Sequence, residues 1–217
     1  MKILAICGSP RGNKSQTKVL AEEVLKAAQA QGAAVDCVDL SAARIEFCQA
    51  CETCHRCGDC VHNDDVKTIL ARMLEADGLI LASPVYLSQI SAQLKAVLDR
   101  SSHFVHCLRL MGKYLAAVTT SGGEDGAEVH AYLRHYANIV GAQYVGSVNA
   151  QSPFKPADLA KAAALGQTLM EAIQTKRQYP EQVDDIAAFK QHFRKLITLR
   201  KDAWPYEYEY WRDQDWL

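Results

Sequence analysis

The sequence lacks long apolar segments and a strong net charge. No stretch approaches about 18 uninterrupted apolar residues, and the apolar run at residues 1–7 is too short for a signal peptide. Lys and Arg number 24 against 25 for Asp and Glu, a formal charge of −1 at pH 7. This balance gives no reason to expect a nucleic acid or a membrane surface as the partner. We therefore expect a soluble protein that stays in the cytoplasm.

Several motifs of common enzyme classes are also missing. G-x-S-x-G, H-E-x-x-H and G-x-G-x-x-G do not occur, which argues against hydrolases and dinucleotide binding. Residues 8–17 nearly match the nucleotide-binding pattern G-x-x-x-x-G-K-[ST], but Asn13 stands at the second glycine position. The later strand at 79–83 has no terminal Asp to help hold magnesium. A P-loop-like nucleotide hydrolase therefore remains a minor alternative.

Short apolar runs alternate with amphipathic segments through residue 175. We predict strands at residues 3–7, 35–40, 78–82, 114–119 and 142–148. We predict helices at residues 17–31, 64–76, 91–102, 127–140 and 157–175, the fourth preceded by the acidic pair Glu124 and Asp125. Continuously apolar strands between helices favour a parallel sheet covered on both faces. The predicted fold is α/β, a flavodoxin-like doubly wound sheet of five parallel strands.

Ligands of such folds bind at the carboxyl ends of the strands, where three loops here are rich in small polar residues. The loops span residues 8–16, 83–89 and 119–125. The first joins a strand to a helix, where backbone N–H groups and the helix dipole favour an anion. The candidate groups for binding a terminal phosphate come from this loop and from the first residue of the predicted helix. They are Ser9, Arg11, Ser15, Gln16 and Thr17.

Together the loops resemble the NAD(P)H-dependent FMN reductase group of flavodoxin-like proteins. Residues 8–11 with 15–17 are similar to that group's FMN phosphate loop, and 83–86 followed by 93–100 are similar to its second signature. The resemblance extends from about residue 2 to residue 150. It implies that the isoalloxazine ring of FMN is contacted by Pro84, Val85, Tyr86, Leu87, Thr120, Ser121, Gly122 and Gly123.

Five of the eight cysteines lie within residues 48–60, namely Cys48, Cys51, Cys54, Cys57 and Cys60. Two-residue gaps let successive thiolates turn toward one point, as in zinc and iron–sulfur sites. The compact run is closer to the ferredoxin pattern C-x2-C-x2-C than to the separated pairs of zinc ribbons. His55 and His62 flank the run and are interpreted as solvated or hydrogen-bonded rather than as zinc ligands. The histidines of residues 103–106 are interpreted as solvated at a helix end rather than as metal ligands.

The spacing C-x2-C-x2-C-x5-C resembles the iron–sulfur flavoprotein family, whose members carry one [4Fe–4S] cluster beside FMN. The resemblance implies four ligands: Cys48, Cys51, Cys54 and Cys60. Cys57 is an additional cysteine that stays unassigned, as a substitute ligand, a free thiol or a sign of zinc. Cys7, Cys37 and Cys107 are interpreted as packing residues. An FMN reductase with zinc or uncoordinated cysteines is the alternative.

The resemblance implies an electron-transfer flavoprotein or reductase that holds FMN and a [4Fe–4S] cluster and needs no catalytic side chain. It further implies a homo-oligomer, a dimer or a tetramer, with NAD(P)H or ferredoxin as possible electron donor. We place the flavodoxin-like domain at residues 1–178, with the cysteine-rich loop at 47–63. Residues 179–217 form a charged extension, aromatic from Trp204 onward. Such composition predicts packing, on its own subunit or on a second one.

Overall fold

The structure is a computed structural model that describes residues 1–123 and 126–217. Its strands are β1 (Lys2–Cys7), β2 (Ala34–Asp39), β3 (Gly78–Pro84), β4 (Tyr114–Thr120) and β5 (Gln143–Ala150). They form one parallel sheet in the order β2-β1-β3-β4-β5. This is the strand order of flavodoxin, with its topological switch point between β1 and β3. The predicted fold class is confirmed.

The five predicted helices are present, with ends shifted by a few residues. The helices of the described residues are α1 (Gln16–Ala30), α2 (Thr53–Cys57), α3 (Val66–Glu75), α4 (Ala92–Arg100), α5 (Ser102–His106), α6 (Ala127–Ile139), α7 (Pro156–Thr175), α8 (Pro180–Leu199) and α9 (Pro205–Asp213). The short helices α2 and α5 and the two helices of the extension were not predicted. Glu124 and Asp125 lie outside the described residues. Within the described chain, none of the helices has the length and apolar character needed to cross a membrane.

The three central strands of the sheet, β1, β3 and β4, are buried on both faces along nearly their whole length. Leu4 and Ile6 of β1 belong to the core under α3, α4 and α6, whereas Ile3 and Ala5 belong to the core under α1 and α7. Successive side chains of a strand point to opposite faces, so one continuous apolar run supplies both cores.

The extension packs against its own subunit. Trp204 and Trp211 form a third apolar cluster with α8 and with Cys107, which follows α5. At the start of α8, the side-chain amide of Gln182 pairs with β5, accepting from Tyr144 N at 2.6 Å and donating to Tyr144 O at 2.9 Å. Of the two placements considered for the extension, the structure shows the one on its own subunit. The domain boundary at residue 178 stays a prediction.

Candidate functional site

The three predicted loops meet in one cavity of about 330 Å³ at the carboxyl ends of the strands. Its lining residues are Ser9, Arg11, Gln16, Thr17, Pro84, Val85, Tyr86, Thr120, Ser121, Gly122, Gln151 and Ser152. Ten of these belong to the predicted set. Sequence reasoning missed Gln151 and Ser152, which follow β5 in a further loop at the same edge of the sheet.

One end of this cavity suits a phosphate. The hydroxyl groups of Thr17 and Thr120 lie 2.7 Å apart, and Arg11, a cationic residue, also lines this cavity. The first backbone amides of α1 have no intrahelical partner, so an anion is favoured there. Within the described part of the chain, no carboxylate lines this cavity. The donor set therefore fits the terminal phosphate of FMN.

Two residues of the phosphate loop have other positions than the sequence suggested. Ser15 is buried beneath the loop, where its Oγ caps α1 by accepting from Lys18 N at 3.0 Å. It does not line the cavity. Lys14 is exposed and also lies outside the lining. The nucleotide-hydrolase alternative, which relies on a lysine that reaches the phosphates, gains no support from this geometry.

The other end of the cavity is built from two backbone segments that are tied together. Val85 N donates to Thr120 O at 2.8 Å, and Tyr86 and Gln89 exchange two backbone hydrogen bonds of 3.0 Å. Leu87, at the tip of this turn, has a φ of 49° and is fully exposed, outside the cavity lining. Gly123 lines a neighbouring cavity instead. Residues 84–86 and 120–122 are thus the segments that fit a planar ring.

A second cavity of about 330 Å³ is lined by the four cysteines that we assigned as ligands, Cys48, Cys51, Cys54 and Cys60. All of them are free thiols. Cys57 is not part of this lining. Its Sγ lies 3.3 Å from Thr53 O, the carbonyl one helical turn earlier. The structure therefore places four of the five clustered thiols around one space and the fifth outside it.

The loop reaches this arrangement through left-handed backbone conformations. Ala50 and Glu52 have φ values of 52° and 58°, and Gly58, which ends α2, has 74°. Such a conformation costs a non-glycine residue about 1 to 2 kcal/mol. Strained positions of this kind cluster at ligand sites. They bend the chain so that residues on both sides of α2 face one cavity.

The wall of the cysteine cavity carries buried nitrogen atoms in need of acceptors. Arg100 donates to both oxygens of Asp64, at 2.8 and 3.1 Å, and both side chains are almost wholly buried. Arg100 Nε and His62 Nε2 are buried without a hydrogen-bond partner among the described residues. Both residues line the cavity. An anionic group with sulfur acceptors satisfies such atoms, so the site fits an iron–sulfur cluster.

The thiols of the cavity differ in their acidity. Burial, together with the carboxylate of Glu207, raises the pKa of Cys54 to about 11. Hydrogen bonds from Thr53 lower the pKa of the exposed Cys51. A metal ion deprotonates the thiols that coordinate it, so the raised pKa of Cys54 is compatible with a ligand role. Cys7 and Cys107 are buried and Cys37 is half-buried, as expected of packing residues.

A buried carboxylate lies beside this cavity. Glu207 of α9 is fully buried and accepts from His55 Nδ1 at 2.6 Å and from His106 Nδ1 at 3.0 Å. These are hydrogen-bond distances, so we describe the three residues as a hydrogen-bonded network. His55 is hydrogen-bonded, as expected. His106, for which we expected solvation at a helix end, donates to Glu207 instead.

Comparisons with known proteins find similar sequences and similar solved structures. Residues 1–155 match the family of NADPH-dependent FMN reductases. An iron–sulfur flavoprotein of Archaeoglobus fulgidus is 30% identical over 225 residues, which cover 100% of both chains. Another, of Methanocaldococcus jannaschii, is 35% identical over 146 residues, which cover 64% of this chain and 75% of the relative. The solved WrbA-like flavodoxin of Agrobacterium tumefaciens superposes with a TM-score of 0.61 at 20% identity, over 81% of this chain and 99% of that one.

Proposed function

The chain belongs to the NADPH-dependent FMN reductase family and to the iron–sulfur flavoproteins, and from this membership we propose that it holds FMN and one [4Fe–4S] cluster. It is a flavin-dependent oxidoreductase. Its proposed role is to pass electrons between a two-electron donor and one-electron carriers. NAD(P)H and reduced ferredoxin are the candidate donors, and the working unit is a homo-oligomer, a dimer or a tetramer.

The observation that carries the cluster proposal is the selection of four thiols out of five. Cys48, Cys51, Cys54 and Cys60 surround one cavity, while the thiol of Cys57 bonds to Thr53 O. Thiolates are the ligands that iron–sulfur clusters take in proteins. Arg100 lines the same cavity, and its Nε has no hydrogen-bond partner within residues 1–123 and 126–217, which supports an occupant of negative charge.

The proposed FMN contacts follow from the first cavity. The phosphate would be held by the loop of Ser9 and Arg11 and by the start of α1 at Gln16 and Thr17. The ring would be held by the tied segments 84–86 and 120–122. Val85 N donates to Thr120 O, and this hydrogen bond holds the two segments side by side.

In this proposal the cofactors carry the redox chemistry, and the protein positions them and sets their electrostatic surroundings. FMN held in the first cavity would supply two-electron and one-electron chemistry, and a cluster held by the four cysteines would supply one-electron transfer. The chain contributes the Arg11 side chain at the phosphate, the rigid turn at Tyr86, and a cation, Arg100, at the cysteine cavity.

Anaerobic purification followed by visible spectroscopy and by iron, sulfide, zinc and flavin analysis tests the proposal. We expect flavin, iron and labile sulfide in the amounts of one FMN and one cluster per chain. The variant Cys54→Ala should lose iron and sulfide and keep FMN. The matched control is Cys57→Ala, which removes a thiol from the same helix but outside the cavity and should keep the full cluster.

The metal content and the behaviour of the two variants distinguish the proposed cluster from its alternatives. Zinc in place of iron, or flavin alone under strict anaerobiosis, contradicts the cluster and leaves a flavin reductase. Loss of iron in Cys57→Ala with retention in Cys54→Ala overturns the ligand assignment. For the donor, NADH, NADPH and a reduced ferredoxin are supplied separately, and bleaching of the flavin is followed. Light scattering coupled to size-exclusion chromatography measures the oligomer.

A further inference from the structure

The extension contacts the cysteine-rich loop at three positions spaced by three residues. Trp204 Nε1 donates to Glu52 Oε2 at 3.0 Å, and His55 Nδ1 donates to Glu207 Oε1 at 2.6 Å. The third position is Gly58, against which the Tyr206 ring packs. Positions three apart fall on one face of a helical turn. Each contact residue follows a cysteine by one position, and two of them, Glu52 and His55, also line the cysteine cavity.

Among the residues that form these three contacts, Glu207 is the one that carries a buried charge. Its side chain is 0% exposed, and each carboxylate oxygen accepts from a different imidazole. Burial alone would raise the pKa of Glu207, but hydrogen bonds from His106 and His55 hold it below the usual range. A buried carboxylate without partners is strongly destabilising. The imidazoles of His55 and His106 are therefore held against α9, because the buried Glu207 carboxylate requires both hydrogen bonds.

The hydrogen bonds also define the state of the imidazole rings. A carboxylate oxygen can only accept, so Nδ1 of both His55 and His106 carries a hydrogen. Trp204 packs against both rings, with centroid distances of 4.8 and 5.0 Å. His55 Nε2 lies 3.5 Å from Ser102 Oγ. The cysteine cavity is lined by His55, His106, Trp204 and Ser102, whereas Glu207 is not part of the lining.

We propose that Glu207 is a positioning residue for the cysteine-held cluster, a role that rests on the proposed function. It fixes His55 and His106 as part of the cavity wall, and with Trp204 it closes the cavity on the side of α9. Residues that surround a metal centre control its hydrogen bonding, its access to solvent and hence its reduction potential. The C-terminal extension thereby becomes part of the redox site.

The test compares Glu207→Gln with Glu209→Gln in the full anaerobic protein. Glu209 lies on the same helix and is exposed, so its substitution removes the same charge without touching the network. A glutamine at 207 accepts from one imidazole and places a donor against the other, which forces a change of tautomer or ring position. The measurements are the cluster's midpoint potential by EPR-monitored titration, its lifetime in air, and the melting temperature.

In Glu207→Gln we expect a higher cluster potential, because a nearby negative charge is lost, and about tenfold faster bleaching in air. The potential of FMN should stay as in the wild type, and Glu209→Gln should match the wild type in every measurement. The second variant, His106→Gln, keeps a donor for Glu207 and removes one ring from the wall. It should shorten the cluster's lifetime in air even if Glu207→Gln fails to fold.

The inference is overturned if every Glu207 or His106 variant that folds keeps the wild-type cluster potential and lifetime. It is equally overturned if Glu209→Gln shifts the potential as much as Glu207→Gln, since net charge alone would then explain the effect. A wild-type protein that holds no iron or sulfide overturns the proposed cluster and this role with it. A cluster that is present but indifferent to Glu207 overturns the positioning role alone.

Discussion

Replacing Gly58 by alanine is expected to disturb the contact between the cysteine-rich loop and α9. Gly58 has a φ of 74°, in the left-handed region that side chains rarely adopt. A Cβ added to this residue would lie 2.4 Å from two atoms of the Tyr206 ring. Two separate penalties therefore act at one position, one in the backbone and one against the neighbouring helix.

The two penalties have different sizes and can be measured apart. The left-handed conformation costs alanine about 1 to 2 kcal/mol. Displacement of the Tyr206 ring in a packed contact costs about 1 to 3 kcal/mol. The total for Gly58→Ala is about 2 to 5 kcal/mol. The matched control is Gly112→Ala, because Gly112 has a φ of 77° and open space around its missing Cβ. It should lose only the backbone part.

Urea unfolding followed by tryptophan fluorescence is the assay, since the three tryptophans, Trp204, Trp211 and Trp216, all lie in the extension. In a Tyr206→Ala background, Gly58→Ala should cost only about 1 to 2 kcal/mol. The double-mutant cycle subtracts the loss of the hydrogen bond from Arg109 to the Tyr206 hydroxyl. An equal cost of Gly58→Ala in both backgrounds, or equal costs at positions 58 and 112, would refute the packing of α9 on the loop.

Two further substitutions test the cavities themselves. Arg11→Gln should weaken FMN binding about 10- to 150-fold, because a hydrogen bond to a charged phosphate is worth about 1.5 to 3 kcal/mol. Riboflavin, which lacks the phosphate, should bind both proteins alike in a fluorescence-quenching titration, and a parallel loss for both flavins would contradict this role. Asp64→Asn should lower the free energy of unfolding at pH 7 by about 3 to 5 kcal/mol, because it leaves the buried Arg100 without its partner. Burial alone would raise the pKa of the Asp64 carboxyl group, but hydrogen bonds from Arg100 hold this pKa below the ordinary 3.8. The pair's contribution is therefore present at neutral pH and is lost as the pH falls below about 3.8. Urea midpoints across pH 7 to 2 should fall less steeply in the variant, and an unchanged acid dependence would rule out this assignment.

The flavin cavity was largely predictable because parallel strands end at one edge of the sheet. Once the strand before Gly8, the strand before Pro84 and the strand before Ser121 were recognised, their loops had to meet. The same rule would have included Gln151 and Ser152, since they follow the last strand with the same small polar character. They were missed because no family signature covered that loop, although its position in the fold was already implied.

The helices of the extension illustrate a different limit. Ile186, Phe193 and Ile197 are buried and spaced as one face of a helix, so α8 was detectable from its pattern. The contact of α9 with α2 was not detectable, because it joins residues about 150 positions apart. Only the folded chain shows that Glu207 meets His55. A lone acidic residue in a charged tail carries no such signal, since most are solvated.

The position of Cys57 shows why spacing alone could not tell which of Cys57 and Cys60 lines the cavity. The interval from Cys54 to Cys57 equals the interval from Cys51 to Cys54, so a continued helix would carry all three thiols along one face. Gly58 ends α2 in a left-handed conformation, and the chain then turns so that Cys60 reaches the cavity. Cys57 remains in the helix and bonds one turn back. Because the same glycine packs against Tyr206, the turn that selects Cys60 and the docking of α9 depend on one residue. A variant that weakens the Gly58 turn should therefore disturb the cluster and the extension together, whereas two independent features would fail separately.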